Sequence, residues 1–152
     1  MTTTLKQRLH DDLTTAMKSR DELRSATIRL TLSAITKEEV AGETARQLSD
    51  DEVLKVIARE AKKRREAAEA FAQGGRAESA QREREEGEVL AEYLPKQLDD
   101  QELAEIVRSA IEESGASGPK AMGAVMKVVN PKVAGLAEGG RVAAEVKRQL
   151  AG

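Results

Sequence analysis

The chain contains no cysteine and no tryptophan, and only one histidine, one phenylalanine and one tyrosine. Without cysteine there is no disulfide framework and no thiolate zinc site. A single histidine, His10, cannot build a histidine metal cluster, so neither metal nor cofactor is expected. The two aromatic residues, Phe71 and Tyr93, are too few for the stacking platforms that hold single-stranded nucleic acid. No apolar run is long enough to span a bilayer. Arg8, His10, Asp11 and Asp12 stand where a signal peptide would need its apolar core. The expected location is therefore the cytoplasm, with no membrane partner. An excess of one charge is missing too. The 25 lysines and arginines face 27 acids, a net charge of −2. That balance speaks against a strongly basic nucleic-acid binder and leaves room for a local basic face.

What is present is helical periodicity in 152 residues, enough for one ordinary domain or two small ones. Leu5, Leu9, Leu13, Ala16 and Met17 form a stripe at steps of three and four on a first helix beginning near Thr3 or Thr4. Asp21 is placed to cap a second helix. Apolar residues cover over half of its circumference, and Glu22, Ser25, Arg29 and Ser33 form its polar face. Ser49 with Glu52 reads as a capping box ahead of a third helix that runs to about Gln73. Gly74 and Gly75 stop it. A fourth helix spans roughly Arg76 to Leu94, where Pro95 ends it. Asp99 with Glu102 repeats the capping box for a fifth helix ending at Gly115. A sixth helix contains Met122 to Val129, with Asn130–Pro131 as its stop. A seventh carries Val142, Val146 and Leu150. The expected fold is all-α, with an N-terminal helical domain of about four helices over residues 1–95. A three-helix domain follows over residues 96–152.

No nucleophile elbow, phosphate loop or dinucleotide fingerprint occurs, and no catalytic residue is assigned. His10 has no partner that would make it a general base. The run Lys62, Lys63, Arg64, Arg65 looks like a nucleic-acid patch, but Glu60, Glu66 and Glu69 lie within one turn and can neutralise it. Arg64 differs from its neighbours because it falls within the apolar stripe and needs a partner there. Glu60 lies beside it on the same helix. The short Gly74–Gly75 turn returns the next helix antiparallel, which makes Glu83 and Glu86 its candidate partners across the turn.

The C-terminal charges are unevenly divided. From Gln97 to Gly118 the acids Asp99, Asp100, Glu102, Glu105, Glu112 and Glu113 face only Arg108. From Pro119 onward Lys120, Lys127, Lys132, Arg141, Lys147 and Arg148 face only Glu138 and Glu145. A module with one basic side suits phosphate contact, and a merely solvated face gives the same pattern. Gly123 sits inside a helix, where glycine is unfavourable. It is expected to mark close approach, either of a neighbouring helix or of a nucleic-acid backbone.

Four stretches carry a resemblance. EVLAEYLPKQL and MGAVMKVVNPKVAGLAEGGRVAAEVKRQL are similar to the hinge and C-terminal motif of the GatB/YqeY family. RSATIRLTLSAITKEE and REAKKRREAAEAFAQGGR are similar to the second and third helices of the YqeY family. Gly87 departs from that pattern, standing where the family has an apolar helix residue. The resemblance implies an all-helical chain whose C-terminal half corresponds to the tail of the B subunit of glutamine-dependent tRNA amidotransferases. That tail is a helical appendage that contacts tRNA. The implied function is that of a stand-alone accessory protein binding tRNA or a tRNA-handling enzyme. Two further readings remain open: a share in carbon–nitrogen ligase chemistry with glutamine as amido-N-donor, and a protein-interaction module without RNA contact.

Overall fold

The structure, a computed structural model, describes residues 3–115 and 117–151. Among them are seven α-helices, one short 3-10 turn and no strand. The helices are α1 (Leu5–Lys18), α2 (Glu22–Glu39), α3 (Asp50–Gln73), α4 (Ala77–Ala91), α5 (Asp100–Ser114), α6 (Met122–Val133) and α7 (Gly139–Ala151). None is long and apolar enough to cross a membrane. The chain divides into two compact units, Met1–Leu94 and Pro95–Gly152.

In the first unit, local chemistry sets where helices begin. The Thr4 hydroxyl accepts from the Gln7 N–H at 3.1 Å, and Asp21 accepts from the Arg24 N–H at 3.0 Å. At α3 both halves of the capping box are present, Ser49 on the Glu52 N–H and Glu52 on the Ser49 N–H. These contacts satisfy donors that the helix itself leaves free. Leu9, Ile28, Ile35, Val53, Ile57 and Leu90 are fully buried and form the centre of the core. Each contributes about 1.5–3 kcal/mol of burial.

Two readings of the amphipathic stripes need correction. Met17 is 51% exposed and does not belong to the core, and Leu30, one of the apolar residues counted around the second helix, is 53% exposed. Ser25, expected on a polar face, is buried, as are Thr27 and Thr31. The two threonine hydroxyls tolerate burial because each donates to the carbonyl one turn back, Leu23 at 2.8 Å and Thr27 at 2.9 Å.

The α3–α4 pair is the most extensive helix contact in the molecule. Gly75 makes the turn possible by adopting φ +77°, a left-handed angle that costs glycine nothing. The helix α4 is shorter than its periodicity suggested, running from Ala77 to Ala91, with Glu92–Leu94 as a turn.

The second unit is built on valines. Val107, Val125, Val129 and Val146 are fully buried, with Val142 and Val133 nearly so. A capping box at Asp99 starts α5, and Gly115 in the left-handed region ends it. The Leu98 N–H donates to the Leu136 carbonyl at 2.8 Å, which ties the start of the unit to the turn after α6. Pro131 does not stop α6, which continues to Val133. At that position proline lacks the N–H that would bond the Lys127 carbonyl, and this single loss in the last turn does not stop the helix.

Candidate nucleic-acid interface

The six bases of the last third fall into two sets. Lys132 Nζ lies 2.5 Å from Glu113, and Arg141 Nη2 lies 2.9 Å from Asp100. Arg148 grips Glu145 with two nitrogens, at 2.9 and 2.5 Å. That grip, opposed by desolvation and aided by the Gln149 amide, holds the Glu145 carboxyl below its ordinary range. These three bases are matched inside their own unit. The acids of α5 that looked like a separate face supply two of the partners.

Lys120, Lys127 and Lys147 form the other set. All three are exposed, and none makes an ion pair with the described residues. Gly123, Lys127 and Asn130 follow at steps of four and three, so they share one exposed face of α6. Lys120 lies in the 3-10 turn just before it. Gly123 does not mark a close helix–helix approach. A Cβ built there would meet nothing within 4 Å. Beside it stands Ala124, also exposed, so this stretch of surface carries at most a methyl group between its lysines.

The basic run in α3 is different. Lys63 pairs with Glu60 at 3.0 Å and Lys62 with Glu66 at 3.9 Å, and Arg65 is not free either. Arg64 is buried between α3 and α4. Its Nε lies 3.1 Å from Glu86 and 3.9 Å from Glu83, and its Nη1 lies 3.7 Å from Glu60. Glu60, Arg64, Glu83 and Glu86 therefore stand together at one place in the hairpin. His10 is exposed on α1.

Two polar centres in the first unit had no signal in the sequence. The Tyr93 hydroxyl donates to Asp12, and the Arg8 guanidinium lies over the Tyr93 ring at 4.6 Å from its centroid. Burial first, and the bond to Asp12 second, push the Tyr93 phenol upward. The second centre is Glu39, buried at the end of α2. It accepts from Lys6 at 2.9 Å and from the Leu48 N–H at 3.3 Å. Both centres join segments far apart in sequence, which no local pattern records. An open groove of about 530 Å³ borders the first, lined by Thr4, Arg8, Asp11, Asp50 and Tyr93 among others. Among the described residues no group of three or more histidines, cysteines and acids is placed to hold a metal ion.

No curated protein matches the chain. The family model described as Yqey-like protein matches residues 6–150, nearly the whole length, and the chain belongs to that family.

Proposed function

We propose that the chain is a binding module whose C-terminal unit contacts the phosphate backbone of tRNA through Lys120, Lys127 and Lys147. The observation that carries this reading is the exposure of three lysines with no ion pair among the described residues, two of which, Lys120 and Lys127, flank the open face at Gly123. The resemblance of residues 122–150 to the amidotransferase tail supports RNA as the partner. Both aromatic residues precede Pro95, so this unit has no ring on which to stack a base. Recognition then rests on charge and shape, with little reading of base sequence. Affinity is modest and falls as salt rises, because each neutralised phosphate releases counterions.

The test is a fluorescence titration of tRNA at two salt concentrations. Replacing Lys120, Lys127 and Lys147 together by glutamine is expected to weaken binding and flatten the salt dependence. Replacing Lys132, Arg141 and Arg148 is expected to do so less, because those bases already have partners. Gly123→Leu covers the open face without altering charge and is expected to weaken binding with the salt slope kept. Absence of tRNA binding by the wild-type chain at low salt would exclude the reading. It would favour a protein partner, which the balance of eight bases and eight acids from Pro95 onward also suits.

A further inference from the structure

The distal part of the α3–α4 hairpin has an unusual interior. Between Ala61 and Gly87 its buried residues are Ala61, Arg64, Ala68, Ala80 and Glu86, so no buried apolar side chain there is larger than a methyl group. Of the large apolar residues of the pair, Val53, Val56, Ile57, Val89 and Leu90 belong to the main core at the other end, and Phe71 is half-buried near the turn with the Arg76 guanidinium over its ring. Gly87 faces Arg64, since a Cβ on Gly87 would lie 3.7 Å from the Arg64 Cβ.

An interface of alanine against alanine defines separation well and register poorly. The buried small residues of α3 in this stretch are Ala61 and Ala68, two turns apart with Arg64 between them. Sliding the distal part of α4 by one turn along α3, about 5.4 Å, would meet no large buried apolar side chain in this stretch, so apolar packing there opposes the shift only weakly. The ionic group would not survive that shift. Arg64, 9% exposed, lies among Glu86 at 3.1 Å, Glu60 at 3.7 Å and Glu83 at 3.9 Å. Lys63 bonds the outer oxygen of Glu60 at 3.0 Å, and Arg82 lies 3.3 Å from the other oxygen of Glu86. A shifted hairpin would bury Arg64 without Glu86 and Glu86 without Arg64.

The group is also poorly made as a source of stability. The Arg64 Nε is buried and makes no hydrogen bond, so its approach to Glu86 is a charge contact without a directed bond. Buried ion pairs of this kind can be replaced by apolar residues with little or no loss of stability, and their best-attested use is to fix register. We infer that Arg64 with Glu60 and Glu86 is a register lock for the distal half of the α3–α4 hairpin, fixing its alignment where small buried residues do so weakly, while Val89 and Leu90 hold the other end in the main core.

The chain has no native cysteine, so spin labels can be placed at will. Labels on cysteines replacing Glu66 and Glu78, both exposed and on opposite helices, report the axial alignment as a distance. The wild-type hairpin is expected to give one narrow distance distribution. The variant Glu60→Leu/Arg64→Met/Glu86→Leu is expected to melt at an equal or higher temperature and to give a broadened or split distribution. A single narrow distance at the wild-type value in that variant would overturn the inference. Failure of the triple variant to fold would overturn it too, because the group would then be a source of stability. The double variant Glu60→Gln/Glu86→Gln, which keeps side-chain shape and leaves Arg64 without an anion, is read in the same way. A distribution unchanged from wild type there counts against the lock.

Discussion

Gly87 lies near the middle of α4 with room for a methyl group. The nearest atom a Cβ would meet is the Arg64 Cβ at 3.7 Å, an ordinary contact. Glycine in a helix interior costs about 1 kcal/mol relative to alanine. Gly87→Ala is therefore expected to stabilise the chain by about 1 kcal/mol, read from the midpoint of urea unfolding. Destabilisation would mean that α4 lies closer to α3 than these positions show. Arg64 gives the opposite case. Removing it alone leaves the buried Glu60 and Glu86 only the exposed Lys63 and Arg82 as partners, and breaking a buried pair in this way costs up to about 3–5 kcal/mol. Arg64→Ala is expected to lower the melting temperature by many degrees, and an unchanged melt would show that the carboxylates reach water. The helical wheel placed Arg64 among apolar residues, and the wheel alone made it stand out from Lys62, Lys63 and Arg65. Ser25 misled the same kind of reading, because a small hydroxyl side chain is polar by type and can still be packed away.

At the scale of elements, what could be read was whatever is local. Ser49 with Glu52 and Asp99 with Glu102 lie three residues apart, and both form full capping boxes. Pro131 shows the limit of reading stops from residue type, since in the last turn its missing N–H removes one bond and the helix still runs to Val133. The pairings Arg141–Asp100 and Lys132–Glu113 show another limit. A charge count along the chain treats these residues as two faces, and folding brings them together. The capping box at Ser49 also predicts acid sensitivity. Arg46 first, and then the Ser49 N–H, hold the Glu52 carboxyl at about 2, against an ordinary value of 4.5. Glu39 is held down as well, chiefly by Lys6. A carboxyl whose pKa is lower in the folded state stabilises that state above the unfolded value and loses the effect as pH falls through the folded one. Stability is therefore expected to decline between about pH 4.5 and pH 2. Glu52→Gln should be less stable than wild type at pH 7 and closer to it near pH 2. Urea midpoints at three pH values would measure this, and a gap that stays constant with pH would show that the carboxylate charge is not what holds the α3 start.

For the molecule as a whole, the position of its single tyrosine offers a simple experiment. The core splits into two clusters that share no residue. One is centred on Leu9, Ile28, Ile57 and Leu90, the other on Val107, Val125, Val129 and Val146. Tyr93 belongs to the first cluster, and the chain has no tryptophan. Tyrosine fluorescence therefore reports the Met1–Leu94 unit, while far-ultraviolet circular dichroism reports helices in both units. Val129 is fully buried, so Val129→Ala removes two methyl groups' worth of packing and leaves a cavity, at a cost of about 2 kcal/mol. Units with separate cores need not unfold together. The expected result is a dichroism melt with part of its amplitude moved to lower temperature and a tyrosine melt left where it was. Should the tyrosine transition move by the same amount, the two units would unfold as one cooperative body. The replaced lysines of the second unit would then have to be judged against the stability of the entire chain.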